Sequence, residues 1–158
     1  MLPVDKIESF ERSVENSSMG KVWVDVELTS TGDEELLRRG HIQPGQVRHI
    51  KLSMLVDTGS TLMSIPEEEI EKLGLPVFKE MTSRFANGQT ATRKIYGPVR
   101  IQIMGRETSV LTLATHPGMP ALLGQIPLEG LDLMVDSNRQ RLMPGHPDFP
   151  NEQLMEVC

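Results

Sequence analysis

The sequence predicts a mainly β domain, and three features of the chain lead to that prediction. Short segments that alternate apolar and polar residues recur along most of its length, as half-buried strands do. Turn signals rich in Gly, Asn and Pro separate these segments. Helical patterns are few and short. We therefore expect a small closed or sandwich-like barrel, and 158 residues suit one such domain with a single core.

The first predicted elements are two strands and the excursion between them. Residues 22–28 alternate apolar and polar residues, whereas residues 48–56 alternate and then become apolar, which indicates a strand that enters the core. Residues 33–40 carry two acidic–basic pairs at helical spacing and end in a glycine, so we expect a short surface helix there, before a Pro-Gly turn. The pairs are Glu34 with Arg38 and Glu35 with Arg39, and the turn is Pro44-Gly45.

The middle of the chain predicts a strand, a helix and a hairpin. Residues 61–65 form the strand, and Pro66 followed by three glutamates is typical of a first helical turn. Gly74 is expected to end this helix. Two further strand segments flank an Asn-Gly pair, a strong hairpin signal because both residues tolerate positive φ. These segments are 81–85 and 90–95, around Asn87-Gly88.

The remainder of the chain predicts four strand segments, a short apolar run and one short helix. The strand segments are 99–103, 109–113, 131–135 and 139–143, the apolar run is 121–123, and the helix is 126–131. These elements complete a domain at residues 20–144. Residues 1–19 and 145–158 are less patterned than this domain. We expect each end to be either a dimerisation strand or a loose segment, with a propeptide as a further alternative for 1–19.

Composition excludes several classes of protein. The formal net charge of −6 argues against a nucleic-acid groove as the main activity, and no stretch approaches the roughly 18 to 20 apolar residues that cross a bilayer. The single cysteine, Cys158, excludes an internal disulfide framework and fits a reducing compartment. Because the first 18 residues also lack a secretory signal, we expect a cytoplasmic protein with neither nucleic-acid nor membrane partners.

No metal or cofactor is expected. The histidines lack the spacing of metal ligands, and neither a glycine-rich phosphate loop nor a Ser/His/Asp or Cys/His signature is present. The ten methionines are expected to fill an adaptable core rather than to line a substrate groove. The four histidines are His41, His49, His116 and His146.

The sharpest chemical signal is the turn Asp57-Thr58-Gly59. A run of small and apolar residues, 53–56, brings the chain through the core, and the carboxylate then appears at a tight turn. Gly59 allows backbone amides to approach this carboxylate, while Thr58 and Ser60 place hydroxyls on either side of it. Taken alone, the tripeptide fits a structural Asx turn at the end of a strand equally well.

A second signal lies downstream, where the apolar run Ala121-Leu122-Leu123 ends at Gly124 and precedes the predicted helix. This arrangement, together with the order of elements over residues 21–144, resembles the retropepsin family of aspartic peptidases (clan AA). The sequences Leu-Val-Asp-Thr-Gly-Ser and Leu-Leu-Gly-Gln-Ile-Pro-Leu particularly resemble those of bacterial retroviral-type members. The resemblance implies a small closed β-barrel that carries a flap hairpin and acts as a homodimer.

The resemblance also implies a mechanism, in which two carboxylates share one proton over a lytic water and hydrolyse a peptide bond. The chain has a single Asp-Thr-Gly, so the second carboxylate would be Asp57 of another copy, placed across a two-fold axis. Thr58 would then brace the two turns across the dimer, and Gly59 would offer its amide to Asp57. These three residues are the expected catalytic set.

A flap hairpin around Asn87-Gly88 would close over an extended peptide, and the residues before the helix would pack behind the Asp57 turn. The expected substrate-binding residues are Ser60, Ala86, Asn87, Gly88, Gln89, Leu123 and Gly124.

Three positions depart from the viral pattern, which commonly has Ala, Asp and Arg where this chain has Ser60, Thr61 and Gln125. This chain therefore lacks both of the charged residues, Asp and Arg, that help to hold viral dimers together. Ser60 also carries a hypothesis: a hydroxyl that donates to Asp57 would favour the charged carboxylate and lower the pKa of the pair. The pH optimum would then be more acidic than that of a Ser60→Ala variant.

Three functions remain open on the sequence. The leading hypothesis is a homodimeric aspartic endopeptidase. The second is a non-catalytic module of the same fold, a dimeric scaffold or peptide binder. The third is an unrelated β-barrel protein in which the turn at Asp57 is structural.

Overall fold

The structure, a computed structural model, describes residues 20–155, and within this range the prediction of a mainly β domain is confirmed. The predictions for residues 1–19 and for Cys158 lie outside the described residues. The elements are β1 (Trp23–Ser30), α1 (Thr31–Arg38), a 3-10 turn (Pro44–Gln46), β2 (His49–Val56), β3 (Met63–Ile65), α2 (Glu67–Leu73), β4 (Val77–Arg84), β5 (Thr90–Ile103), β6 (Arg106–Ala114), β7 (Leu122–Leu123), α3 (Gln125–Gly130), β8 (Leu133–Asp136) and β9 (Arg141–Pro144).

Seven of the strands form one sheet in the order β1-β2-β7-β3-β6-β5-β4. Because β1 also pairs with β5, the hydrogen-bonded neighbours lead from β1 through five other strands and back to β1. Strand β4 lies outside this cycle and pairs with β5. Strands β8 and β9 form a separate antiparallel sheet.

The short strand β7 lies between β2 and β3 in the large sheet. It runs parallel to β2, with Leu122 opposite Leu55 and Leu123 opposite Val56, and antiparallel to β3. The chain that leads into Asp57 therefore lies beside the chain that leads into Gly124. This pairing brings together the two segments that the sequence singled out.

The core lies inside the large sheet, on the face that the alternating residues of its strands share. Met54 and Met63 are fully buried in it, as predicted for the methionines. Met104, Met119, Met134 and Met155 are instead exposed, so that prediction holds only in part. The largest fully buried side chains are Leu28, Met54, Met63, Ile65, Leu73, Ile101, Ile103, Leu123, Leu128, Leu131, Val26 and Val99.

Helix α1 forms as predicted, but one of its two predicted ion pairs is wrong. Glu35 binds both Arg38 and Arg39, whereas Glu34 pairs with Arg100 of β5 at 2.8 Å. The Glu34–Arg100 pair is partly shielded from water, and such a pair competes well with an exposed pair along one helix.

The segment between β1 and β2, which contains α1, is held to the residue before β2 by a buried carboxylate. Asp33 accepts hydrogen bonds from the Arg48 guanidinium at 2.7 and 2.8 Å and from the Arg48 amide at 2.9 Å. The Arg48 guanidinium is the main cause that lowers the pKa of Asp33 to about 2. The same guanidinium lies against Gly74, where a β-carbon would overlap it.

Several other element boundaries differ from the prediction, and two of them lie at prolines. Pro66 is the residue before α2 rather than its first helical residue, while Gly74 ends the helix in the left-handed region at φ 61°. The segment predicted to break before Val99 is one continuous strand, β5. The pairing of β5 with β6 shifts register between Tyr96 and Val99. This shift accommodates Pro98, which has no N–H to donate to the neighbouring strand.

The C-terminal tail folds back onto its own chain, and residues 145–155 form no strand. Asp132 is buried and accepts hydrogen bonds from the Leu154 amide at 2.9 Å and from His146 at 2.7 Å. The buried Arg106 lies 3.4 Å from the same carboxylate and donates to the Pro150 carbonyl.

Gln153 continues this attachment of the tail. Its amide nitrogen donates to the carbonyls of Glu107 and Gly130, and its oxygen accepts from the Glu107 amide. The tail is thus attached at the end of α3 and at the start of β6.

Candidate active site

The Asp57 turn begins where β2 leaves the core. The Asp57 amide donates to the Leu123 carbonyl at 2.9 Å, and the Ser60 amide donates back to the Asp57 carbonyl at 3.1 Å. The first bond fixes the turn to β7, and the second closes it. Asp57 is half-buried, whereas Thr58 and Gly59 are exposed.

The carboxylate of Asp57 accepts a hydrogen bond from the Gly59 amide at 3.0 Å. A β-carbon on Gly59 would lie 3.2 Å from the same carboxylate oxygen, a tight contact. Among residues 20–155, Asp57 forms no ion pair with a basic side chain of its own chain. The carboxylate is therefore oriented by the backbone and is not neutralised by an internal cation.

The turn is clamped from behind by the residues that follow β7. The Gln125 amide donates to the Ser60 carbonyl at 2.8 Å, and the Ile126 amide donates to the Thr61 carbonyl at 3.0 Å. Gly124 lies so close to this loop that a β-carbon would overlap the backbone carbonyls of Leu62 and Ser60. Two segments far apart in the sequence thus form one rigid unit.

Ser60 does not have the contact that the sequence suggested. Its hydroxyl donates to the backbone carbonyl of Leu62 at 3.2 Å, not to the Asp57 carboxylate. The loop bends so that the Leu62 carbonyl comes within reach of the hydroxyl two residues earlier. The predicted hydrogen bond from the Ser60 hydroxyl to the Asp57 carboxylate is therefore wrong for this structure, whereas the predicted effect on the pH optimum stays a prediction.

The predicted hairpin forms, with its turn at Ala86, Asn87, Gly88 and Gln89. Gly88 has φ 82°, the conformation that the Asn-Gly signal predicted. The Phe85 amide donates to the Gln89 carbonyl at 2.8 Å, and the Asn87 side-chain oxygen accepts from the Gln89 amide at 3.0 Å. All four turn residues are exposed, and these hydrogen bonds stay within the turn.

One face of this hairpin carries both apolar and basic side chains. The register places Met81 opposite Arg93 and Lys79 opposite Ile95, so these four residues share a face, and Ile95 is buried in the core. Met81 and Phe85 are about half exposed in the described chain, at 47% and 53%. The hairpin therefore extends this face beyond the core and leaves Met81 and Phe85 uncovered.

The structure brings together only part of the predicted site. Asp57, Gly59, Ser60, Leu123 and Gly124 form one cluster, with Thr58 exposed beside it, and the hairpin residues 86–89 form a separate exposed turn.

Sequence analysis missed the backbone groups that build the clamp, namely the carbonyls of Thr61 and Leu62 and the amides of Gln125 and Ile126. No side-chain type signals such groups. Sequence analysis also did not single out Met81 and Phe85, which are exposed on the hairpin.

Asp57 is half-buried, and the adjoining Thr58 and Gly59 are exposed. A cavity of about 700 Å³ lies between β1, β2 and the β5–β6 turn, and Asp57 does not line it. Within residues 20–155 no group of three or more metal-ligating side chains could hold a metal ion. None of the helices in that range is both long enough and apolar enough to span a membrane.

A family comparison now identifies the chain's relatives. Residues 43–129 match the family model described as "gag-polyprotein putative aspartyl protease", which is more than half of the chain. The chain belongs to this aspartyl protease family. The family match contains the Asp57 turn, the hairpin turn at 86–89 and Gly124, and it ends before β8.

A comparison with solved structures finds the solution structure of Simian Foamy Virus (mac) protease, at 19% identity and a TM-score of 0.44. That match covers 67% of this chain and 90% of the viral chain. A comparison with curated proteins finds no match. Membership of the aspartyl protease family therefore rests on the sequence match over residues 43–129.

Proposed function

We propose that this chain is an aspartic endopeptidase that works as a homodimer, with Asp57 of each copy forming the catalytic pair. The observation that carries the proposal is the Asp57 turn itself. Its carboxylate accepts a hydrogen bond from the Gly59 amide and forms no ion pair with a basic side chain of the described chain. The loop that carries it packs closely against Gly124. Membership of an aspartyl protease family supports the same conclusion.

The proposed reaction uses the pair as one acid and one base. Two carboxylates close together cannot both ionise easily, so they share one proton at working pH. The charged carboxylate removes a proton from a water molecule, which attacks the carbonyl carbon of the scissile peptide. The protonated carboxyl donates to the carbonyl oxygen, and the tetrahedral intermediate then collapses as a proton reaches the leaving nitrogen.

The proposed substrate is an extended peptide that lies between the Asp57 turns and the hairpin. The exposed side chains of Met81 and Phe85 on the hairpin would cover the peptide and exclude water. The exposure of Thr58 and Gly59 beside Asp57 agrees with a cleft that a second copy completes. In the same proposal, the cycle of strand pairings from β1 back to β1 is a small closed barrel.

A peptide-library digest with wild type, Asp57→Asn and Asp25→Asn tests the activity. Asp25 is an exposed acid on β1 and serves as the matched control. We expect Asp57→Asn to lower the cleavage rate by about three orders of magnitude and Asp25→Asn to leave it close to wild type. Peptide binding without cleavage by the wild type would contradict the endopeptidase and support the non-catalytic peptide-binding module instead.

A mixing experiment tests whether the site is shared between two copies. When equal amounts of wild type and Asp57→Asn exchange subunits, about a quarter of random dimers retain both carboxylates. We expect the activity to fall to that fraction of the undiluted wild type. A fall to about half, as simple dilution gives, would show that each chain works alone.

A further inference from the structure

The β4–β5 hairpin concentrates positive charge in an acidic chain. Residues 77–95 contain four basic residues and one acidic residue, Glu80, which gives this segment a formal charge of +3. The whole chain has a formal net charge of −6. The positive charge therefore lies on the element that covers the substrate in the proposed function. The four basic residues are Lys79, Arg84, Arg93 and Lys94.

None of these four basic residues forms an ion pair within residues 20–155. Glu80 lies opposite Lys94 in the ladder, yet no ion pair joins the two side chains. Outside the hairpin, by contrast, every arginine of the described range lies within 4.0 Å of a carboxylate oxygen. Those arginines are Arg38, Arg39, Arg48, Arg100, Arg106, Arg139 and Arg141. The hairpin thus keeps its positive charges without carboxylate partners, although the chain has an excess of acids.

Two of the basic residues lie on either side of Met81 on one face of the hairpin. Lys79 is opposite Ile95 and Met81 is opposite Arg93, so Lys79 and Arg93 are diagonal neighbours on that face. Ile95 is buried in the core, which makes this the core-side face of the hairpin. The core-side face therefore carries two positive charges around one exposed apolar side chain.

The charge of Arg93 is held in place but is not neutralised. Arg93 is half-buried, and its guanidinium donates to the Ala114 carbonyl at 3.3 Å. A guanidinium has five N–H donors, so this contact with a neutral acceptor leaves donors for an anion. Lys79 is exposed, and two like charges at diagonal positions repel each other. A carboxylate that contacts both side chains would remove this repulsion.

We propose that Lys79 and Arg93 together bind an acidic side chain of the peptide substrate. The substrate is then a polypeptide segment that carries Asp or Glu next to an apolar residue, which packs on the half-exposed Met81. This inference rests on the proposed function, because it assigns a substrate class to the same cleft. Exclusion of water beneath the hairpin strengthens such an ion pair.

The acidic residue of the substrate is a flanking residue. Arg93 is four positions from Gln89 at the turn, and Lys79 is six positions from Phe85. At about 3.3 Å per residue, four positions span about 13 Å. An extended peptide bridges that distance with about four residues, so the acid lies about four residues from the part of the peptide beneath the turn.

The core-side face favours a peptide over a nucleic acid. It offers two positive charges rather than a long basic stripe, and the net negative charge of the chain opposes a phosphate backbone. Met81 and Phe85 add exposed apolar surface that suits peptide side chains.

Peptide binding to the full-length Asp57→Asn protein tests the proposal without cleavage. Two labelled peptides share an apolar core, and about four residues from its centre one has a pair of glutamates and the other a pair of lysines. At about pH 6 the glutamates are charged. Fluorescence anisotropy should show about tenfold tighter binding of the glutamate peptide, and this preference should shrink as salt rises from about 50 to about 500 mM. Equal affinities would overturn the proposal, as would an oligodeoxythymidine that binds more tightly than the glutamate peptide.

Charge reversal on the two faces of the hairpin identifies the residues. The Lys79→Glu, Arg93→Glu variant should bind the lysine peptide more tightly than the glutamate peptide, an inversion that misfolding does not produce. Lys79→Glu alone should bring the two affinities close together. The matched control is Arg84→Glu, Lys94→Glu, which changes the net charge equally on the opposite face and should keep the preference for glutamate. Inversion in the control as well, or no change in Lys79→Glu, would refute the assignment.

The outcomes separate this inference from the proposed function. Tight binding of the glutamate peptide without cleavage by the wild type would support the acidic subsite and contradict the endopeptidase. Cleavage of both peptides with equal kcat/KM, lost in Asp57→Asn, would support the endopeptidase and overturn the acidic subsite.

Discussion

Gly124 lies directly against the backbone carbonyl of Leu62. A β-carbon at position 124 would overlap this oxygen and would come within 2.5 Å of the Ser60 carbonyl oxygen. The obstructing atoms are backbone atoms, and they belong to the loop that carries Asp57. Any side chain at position 124 would therefore push the Asp57 turn away from β7.

The first prediction is that Gly124→Ala destabilises the fold and removes activity. Because backbone must move to admit the methyl group, we expect a loss of about 3 kcal/mol in the free energy of unfolding. Urea denaturation measures this loss. The control is Gly45→Ala, since Gly45 has open space around its α-carbon and should change stability by less than about 0.5 kcal/mol. Similar stabilities for the two variants would contradict the clamp.

The second prediction concerns Ser60. Its hydroxyl donates to the Leu62 carbonyl and so gives no direct hydrogen bond to the Asp57 carboxylate. We expect the pH–rate profile of Ser60→Ala to keep the pH optimum of the wild type. The measurement is kcat/KM on one peptide across the acidic range. A shift of the pH optimum toward higher pH in the variant would instead support a hydrogen bond from the Ser60 hydroxyl to the Asp57 carboxylate.

The part of the site that could be predicted from the sequence is the part that depends on local chain geometry. Asp57 follows a run of apolar residues, Gly59 permits an amide to approach its carboxylate, and Asn87-Gly88 fixes a turn. Each of these signals lies within a few residues, so local conformational preferences decide the outcome. The position of Gly124 followed from the family resemblance, whereas the carbonyls that it meets did not.

The contacts that could not be predicted are choices between competing partners. Glu34 had an arginine four residues away but binds Arg100, which is 66 residues away in the sequence. Ser60 had two acceptors within reach, and the bend of the loop decided between them. Asp132 showed no motif at all, because its carboxylate is held by His146 and by the Leu154 amide of the returning tail.

The third prediction is an acid-sensitive contribution to stability from Asp33. The Arg48 guanidinium lowers the pKa of Asp33 to about 2, below its value in an unfolded chain. A depressed pKa means that the stabilisation is fully present above about pH 4 and is lost as the pH falls toward 2. Because Arg48 is half exposed, we expect about 1 to 2 kcal/mol rather than the full value that the shift implies.

The measurement is the stability difference between wild type and Asp33→Asn at several pH values. The difference should be largest above pH 4 and should shrink as the pH approaches 2, where the wild-type carboxyl is also neutral. Glu68→Gln is the control, since Glu68 is an exposed acid in the first turn of α2. A difference that stays constant with pH would mean that the substitution disturbs packing rather than an ion pair.

The last prediction is that Asp132→Asn releases the C-terminal tail. Burial alone would raise the pKa of Asp132, but the Leu154 amide, His146 and Arg106 together hold that pKa below its usual range. The charged carboxylate is therefore the state that holds the tail, and its contribution to stability is lost as the pH falls through the depressed pKa. Asparagine tolerates the positive φ at this position, so the substitution removes the charge without straining the turn.

Neutralising Asp132 leaves the Arg106 guanidinium buried without its carboxylate partner, which costs about 3 kcal/mol. We expect the Leu154 amide to lose its protection in hydrogen exchange at neutral pH, together with the loss of global stability. Asp148→Asn is the control, because Asp148 is an exposed acid in the same tail and should leave that amide protected. If the Leu154 amide stayed protected in Asp132→Asn, the tail would be held by Gln153 and its contacts with Glu107 and Gly130 rather than by the buried carboxylate.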